Sequence, residues 1–351
     1  TFTLEQARNN KVSLDWDNYT PPKPAIFDGK IKHDLVESDY HLETLDNGGV
    51  LLQFDDYPLD KLADIFDWTP FFRSWELAGR YPAILTDEVV GEEATKLHKD
   101  AKDMLKRMID EKWITGKAVL GFFPANSIGD DLELYTNENE QNKHTDLFHI
   151  RQQMDRTTKG NNKAQPNFCL ADFIAPKDSG KADWLGAFAV STGFGMEERV
   201  EQYKTDLDDY NAILLEALTD RFAEALAEKM HELSRKVFWG YASDETLSND
   251  EIIKEKYQGI RPAPGYPACP EHTEKGTLWK LLEPEKRIGI KITESYAMWP
   301  AAAVSGWHFS HPDSRYFGTG KIQKDQVKDY AKRKSWTVEE TEKWLGPVLG
   351  Y

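Results

Sequence analysis

Apolar residues recur at helical spacing most clearly between Glu92 and Lys112. There Ala94, Leu97, Ala101, Met104, Leu105 and Met108 fall on one face, which predicts an amphipathic helix. A longer helix is predicted from about Met196 to Trp239, with Asp208-Asp209-Tyr210 as a break and an Ala-, Leu- and Glu-rich stretch from Ala212 to Met230. A short helical pattern covers Pro58 to Ile65. Two amphipathic helices close the chain, Lys324–Lys334 and Val338–Leu345, the second with Thr337 as N-cap and Glu340 completing a capping box. Ala118 to Phe123 is a continuous apolar run that reads as a buried strand ended by Pro124, and Leu132 to Tyr135 as another. Cys169 to Ile174 and Trp184 to Val190 read as strands separated by the turn Asp178-Ser179-Gly180, and two more flank Pro300. Residues 137–146 and 157–167, rich in Asn, Gln and Lys, predict loops.

Strands come in runs rather than in regular βαβ alternation, so the expected fold is α+β with an antiparallel sheet. Residues 1–30 read as a lead-in arm, with Trp16 and Tyr19 available to pin it and Pro21, Pro22 and Pro24 holding it extended on the surface. Residues 31–351 read as one domain. Within it, 31–53 is strand-like with Gly48-Gly49 as a turn signal, which predicts a small hairpin peripheral to any site.

Composition narrows the function classes. A formal net charge of −16 argues against nucleic acid, whose phosphates need basic patches. The longest weakly polar run, Ala297 to Trp307, is too short and too broken by Pro300 and Gly306 to span a bilayer. Only Cys169 and Cys269 occur, so neither a disulfide framework nor a cysteine zinc site is expected, and a reducing, cytoplasmic setting is. No secretory pattern opens the chain, and a first residue of Thr points to an excised piece. No HxH or HExxH occurs; His308 and His311 are the nearest approach, and no metal site is expected. Gly193-Phe194-Gly195 begins a dinucleotide fingerprint that Glu198 spoils, and no phosphate-binding loop of the Walker type is present.

The densest chemistry lies in Arg261-Pro262-Ala263-Pro264-Gly265-Tyr266-Pro267-Ala268-Cys269-Pro270. Four prolines and a glycine exclude helix and leave a stiff extended ribbon. Arg261 opens it with a planar fork suited to a carboxylate, Gly265 removes a side chain where something approaches the backbone, and Tyr266 adds a ring. Asp67, in Asp67-Trp68-Thr69-Pro70-Phe71-Phe72, reads either as a helix cap or as a carboxylate among aromatics that suits an ammonium group. Asp220, Glu224 and Glu228 at i, i+4, i+8 share a helix face, which on residues alone reads as a solvated stripe.

These strings also carry a resemblance. Gly259-Ile260 with the ribbon through Pro267, then Pro270 to Lys275, Thr293 to Met298, Val304-Ser305-Gly306-Trp307 and Ser310-His311-Pro312-Asp313-Ser314 resemble the activation domain of cobalamin-dependent methionine synthase. The likeness extends through Lys324 to Val327, Asp329-Tyr330-Ala331, Trp344-Leu345 and Leu349-Gly350-Tyr351. Upstream it includes Asp67 to Phe72, Phe123 to Asn126, Arg151-Gln152-Gln153 and Leu170 to Phe173, so it covers most of the chain. Residues 31–53 stand out against that family as an insertion.

The resemblance implies a bent antiparallel sheet flanked by helices, and a site for S-adenosylmethionine. Asp67 would take the ligand's ammonium and Arg261 its carboxylate, with backbone groups of Ala263, Gly265 and Tyr266 at the adenine. It also implies ligand contacts from Tyr316 and Phe317, and places Glu224 and Glu255 in the cavity where ligand and cobalamin meet. Cobalamin itself is expected from another module, in cis or trans, because Asp39-Tyr40-His41 begins the ligating pattern Asp-x-His-x-x-Gly but Thr44 replaces its glycine. The implied function is reductive methylation of cob(II)alamin, with an electron from flavodoxin or a flavoprotein reductase. No residue of this chain is expected to act as nucleophile or general base. The other reading is a free-standing ligand-binding or interaction protein without methyl transfer.

Overall fold

A computed structural model of the chain describes residues 1–137, 142–156 and 165–351. In chain order its strands are β1 (His41–Thr44), β2 (Val50–Tyr57), β3 (Thr115–Ile128), β4 (Asp131–Tyr135), β5 (Lys143–Leu147), β6 (Trp184–Phe194), β7 (Lys291–Ile292), β8 (Met298–Trp299) and β9 (Ala303–His308). Its helices are α1 (Leu4–Asn9), α2 (Leu59–Ala63), α3 (Thr69–Ser74), α4 (Gly91–Asp110), α5 (Met196–Thr205), α6 (Asp209–Leu233), α7 (Asn249–Ile253), α8 (Glu274–Leu282), α9 (Pro284–Ile288), α10 (Lys324–Lys334) and α11 (Val338–Leu345). Pairing between these strands is antiparallel throughout.

β3 is the hub. Gly116 to Phe122 pairs with β2, Thr115 to Pro124 pairs with β6 on the other edge, and Ala125 to Ile128 pairs with β4. β1 extends the sheet beyond β2, β5 beyond β4 and β9 beyond β6. Pro124 does not end the strand, contrary to the reading from sequence. The Ala125 N–H points to the β6 side, where it donates to the Asp183 carbonyl. Donors alternate along an antiparallel strand, so the missing N–H of Pro124 falls on the opposite edge, where pairing passes from β2 to β4.

Both faces of the sheet are covered, and adjacent residues serve different cores. Ala118, Leu120 and Phe122 of β3 join Phe188 and Val190 of β6 in a core shared with α4 and α6. Val119, Phe123, Leu185, Ala187 and Ala189 face the other way, onto Leu278, Leu281 and Leu282 of α8. All six apolar positions of the α4 stripe are buried, as its spacing predicts. β2 contributes Val50, Leu52 and Phe54 to the first core, and the 41–57 hairpin is built into the sheet on the edge of β3 opposite to β6.

Other expectations are corrected. Cys169 to Ile174 is not a strand: Leu170–Phe173 forms a 3-10 turn whose Asp172 carboxylate accepts from the Cys169 N–H and receives both ends of the Arg151 fork. Within the predicted loop 137–146, Lys143 onward is strand, and 138–141 lie outside the described residues; so do 157–164 of the loop 157–167. The predicted helix 196–239 divides at Leu207, whose φ is +57°, and α6 restarts on Asp208, whose carboxylate accepts from the Asn211 N–H. Thr337 caps α11 as expected, but the Glu340 carboxylate accepts from the Trp344 indole instead of returning to the cap. The arm carries the short helix α1, and its Trp16 and Tyr19 rings meet His311 edge-on with centroids 4.8 and 4.6 Å away. Among the described residues no helix is long and apolar enough to cross a membrane.

Candidate functional site

The proline-rich ribbon lies along the free edge of β9. Ile260 exchanges two backbone hydrogen bonds with Phe309, and the Trp307 N–H donates to the Pro262 carbonyl at 2.8 Å. Pro262 stands opposite Trp307, accepts through its carbonyl and, lacking an N–H, returns no bond, so the pairing ends there. Gly306 makes the approach possible: a Cβ there would sit 2.4 Å from the Pro262 oxygen. Beyond Pro262 the chain turns, with the Tyr266 N–H donating to the Ala263 carbonyl at 3.1 Å and the Gly265 N–H to the Cys269 carbonyl at 2.8 Å. Segment 316–319 is laid over this turn by the Thr319 N–H, which donates to the Pro267 carbonyl at 2.7 Å.

Two adjoining clefts open beside the ribbon. One, about 520 Å³, has a largely apolar lining that includes Phe188, Ala263, Tyr266, Val304, Tyr316 and Phe317. The other, about 320 Å³, is lined by Asp67, Arg221, Glu224, Glu228, Glu255 and Arg261 among others. Glu224, Glu255 and Arg261 border both. Eight of the nine residues expected at a ligand site therefore converge on one region of the surface. Their sources are the α2–α3 junction, α6, the end of α7, the ribbon and the segment after β9.

Gly265 is the exception. It lines neither cleft; its φ is +92° and the space a Cβ would take is filled by the His272 ring, 2.4 Å away. The close neighbour that its missing side chain accommodates is thus part of the protein. The N–H groups of Gly265 and Tyr266 are both engaged inside the turn, so among the backbone groups expected at a ligand these two donors are already committed within the protein. The Ala263 N–H forms no hydrogen bond with the described residues and is the donor that remains.

The polar cleft carries an excess of negative charge, four carboxylates against two guanidiniums. Glu224 and Glu255 form no ion pair within the described residues, and burial together with nearby Glu228 pushes the Glu255 carboxyl up, against the pull of Arg261. Asp67 is not the cap of α3, whose N-cap is Trp68; it stands one residue earlier, where Oδ1 accepts from the Thr69 N–H at 3.1 Å and the carboxylate borders the cleft. Asp220, the first member of the acidic stripe, lies outside both clefts, whereas Glu224 and Glu228 line the polar one. The solvated-face reading holds for the first residue of that row only.

Arg261 is 19% exposed at its side chain and donates from Nη2 to Glu228 Oε2 at 3.1 Å. Its Nε is buried without a hydrogen-bond partner among the described residues. The surrounding carboxylates and phenols outweigh its burial and hold its charge more firmly than usual. Its backbone N–H donates to the Tyr316 hydroxyl at 3.0 Å, which also shares a hydrogen bond with the Tyr257 hydroxyl at 2.8 Å. Sequence reasoning passed over Tyr257 altogether and treated Glu228 only as part of a stripe. A tyrosine between Lys256 and Gln258 carries no local signal, because its role depends on Tyr316, fifty-nine positions away.

A family profile described as "Vitamin B12 dependent methionine synthase, activation domain" matches residues 58–335. Among solved structures, that of a MetH reactivation domain bound to AdoHcy superposes with a TM-score of 0.87 at 50% sequence identity, over 100% of this chain and 99% of that one. The chain belongs to the activation-domain family of vitamin B12-dependent methionine synthase.

Proposed function

We propose that this domain binds S-adenosylmethionine across the paired clefts and presents its methyl group for reductive methylation of cobalamin, thereby reactivating methionine synthase. The observation that carries the reading is a single guanidinium with a buried, unpartnered nitrogen, Arg261 Nε, set between unpaired carboxylates and an aromatic-lined apolar cleft. A zwitterion with an added sulfonium charge matches that arrangement. Arg261 receives the carboxylate, Asp67 the ammonium, and Glu224 and Glu255 face the cation. Tyr266, Tyr316 and Phe317 supply the apolar and aromatic surface for adenosine, with the Ala263 N–H as a donor to the base. The solved relative, bound to AdoHcy, the demethylated form of that ligand, supports the assignment.

The ligand supplies an activated methyl, and the corrinoid that accepts it, with one electron from flavodoxin or a flavoprotein reductase, belongs to other modules or partners. This chain's part is positioning: it orients the sulfonium and surrounds it with negative charge, which needs neither a nucleophile nor a general base of its own.

Isothermal titration with S-adenosylmethionine tests the reading. Saturable binding is expected, weakened roughly tenfold or more by Arg261→Ala and by Asp67→Asn, since each removes a charge-assisted hydrogen bond. Absence of binding at millimolar ligand would overturn it and favour an interaction protein that kept the fold without the site.

A further inference from the structure

Behind the polar cleft, a ring of contacts engages groups that the ligand site leaves unused. Arg235 lies on the π-helical turn Ser234–Phe238 that follows α6, and its side chain is 0% exposed. Its Nε and Nη2 donate to the Glu245 carboxylate at 2.7 and 2.9 Å, and its guanidinium carbon lies 4.4 Å from the centre of the Tyr257 ring. Its third nitrogen, Nη1, is buried without a hydrogen bond among the described residues, 3.9 Å from Glu228 Oε1. Glu228 reaches the other way through Oε2 to Nη2 of Arg261. On the backbone side, Tyr257 holds the Tyr316 hydroxyl, which in turn accepts from the Arg261 N–H. Both lines lead from Arg235 to Arg261.

We propose that Glu228 is a positioning residue for Arg261: by taking one N–H of Nη2 it fixes the guanidinium and leaves the remaining N–H groups for a ligand carboxylate. The inference rests on the ligand assignment proposed above. An alternative role for Glu228, as a competitor that repels the carboxylate, is disfavoured by its surroundings. Charges alternate along Glu245, Arg235, Glu228 and Arg261, so the negative charge of Glu228 is shared between two flanking guanidiniums and does not stand alone beside the cleft. Fixing the guanidinium in advance also removes rotamer freedom that a ligand must otherwise restrict.

The test compares S-adenosylhomocysteine with 5′-methylthioadenosine by titration against wild type, Glu228→Ala and Glu228→Gln. Both ligands are neutral thioethers at sulfur, and only the first carries the aminocarboxylate, so the ratio of their affinities reads that group without the sulfonium. Glu228→Ala is expected to lower the ratio roughly tenfold, the size of one charge-assisted hydrogen bond. Methylthioadenosine binding stays unchanged, and Glu228→Gln, which keeps an acceptor for Nη2, recovers most of the ratio. An unchanged or increased ratio in Glu228→Ala overturns the role, and so does an equal loss for both ligands, which would mark a purely structural residue. Wild-type protein that binds both ligands equally overturns the ligand assignment itself, and this role with it. Should Glu228→Ala fail to fold, Glu228→Asp, which draws the carboxylate back from Nη2 by one methylene, takes its place and the same ratio decides.

Discussion

Glu224 illustrates how one side chain acquires a role from its neighbours. On α6 it is one of a row of acids, but the ribbon and the end of α7 close around it, so that it borders both clefts without an ion-pair partner among the described residues. Under the ligand assignment proposed above, a carboxylate so placed discriminates charge at the ligand's sulfur. Glu224→Gln is therefore expected to reduce the preference for S-adenosylmethionine over S-adenosylhomocysteine by about three- to tenfold, a range that allows for solvent screening at a half-exposed site. Competitive titration measures this directly; an unchanged preference would assign the discrimination to Glu255 or Asp67.

At the scale of elements, the site depends on the ribbon keeping its place on β9. The contact is backbone against backbone, the Pro262 carbonyl over Gly306, so no flexible side chain can yield to an intruding methyl. Gly306→Ala is expected to push the ribbon from the sheet edge, weaken the Trp307–Pro262 and Ile260–Phe309 hydrogen bonds, and lower stability by about 1–3 kcal/mol. Ligand affinity falls with it, because Arg261 and Ala263 travel with the ribbon. Urea unfolding and ligand titration on the same variant check both. Unaltered affinity in a destabilised protein would show that the ribbon re-forms its turn away from β9.

For the molecule as a whole, burial of titratable groups shapes the response to acid. His149 is buried with both ring nitrogens unpartnered among the described residues, and burial followed by the nearby Arg333 charge lowers its pKa to about 3. Below about pH 6.5 the unfolded chain therefore binds a proton that the folded chain refuses, and stability falls as pH falls. Asp183 and Asp131 act in the opposite sense. Burial raises their carboxyls to about 7 and about 6, so the folded state takes up their protons first and gains stability on acidification. His149→Leu isolates the first effect, since the two aspartates are common to both proteins. Its stability relative to wild type is expected to grow by about 1.4 kcal/mol for each pH unit between pH 6.5 and 4.5. Urea unfolding across that range provides the check, and a constant difference would mean that His149 accepts its proton in the folded state.

Local pattern alone determined the helices α4, α10 and α11, the strand character of β3 and β6, and the extended form of the ribbon, because spacing, capping and proline chemistry act within a few residues. Uncommon strings such as Arg261 to Pro267 also carry the family resemblance and, through it, the candidate site residues. Tertiary structure decided what those strings do together. It carried β3 through Pro124, since only the partner strands determine which edge lacks an acceptor. It turned Cys169 to Ile174 into a 3-10 turn, since Arg151 draws Asp172 inward. It filled the space beside Gly265 with His272, and it linked Arg235, Glu228, Tyr257 and Tyr316 behind Arg261 across more than eighty positions of chain. Burial, close approach and shared hydrogen bonds between distant segments leave no trace in local periodicity; they exist only once the sheet has brought those segments together.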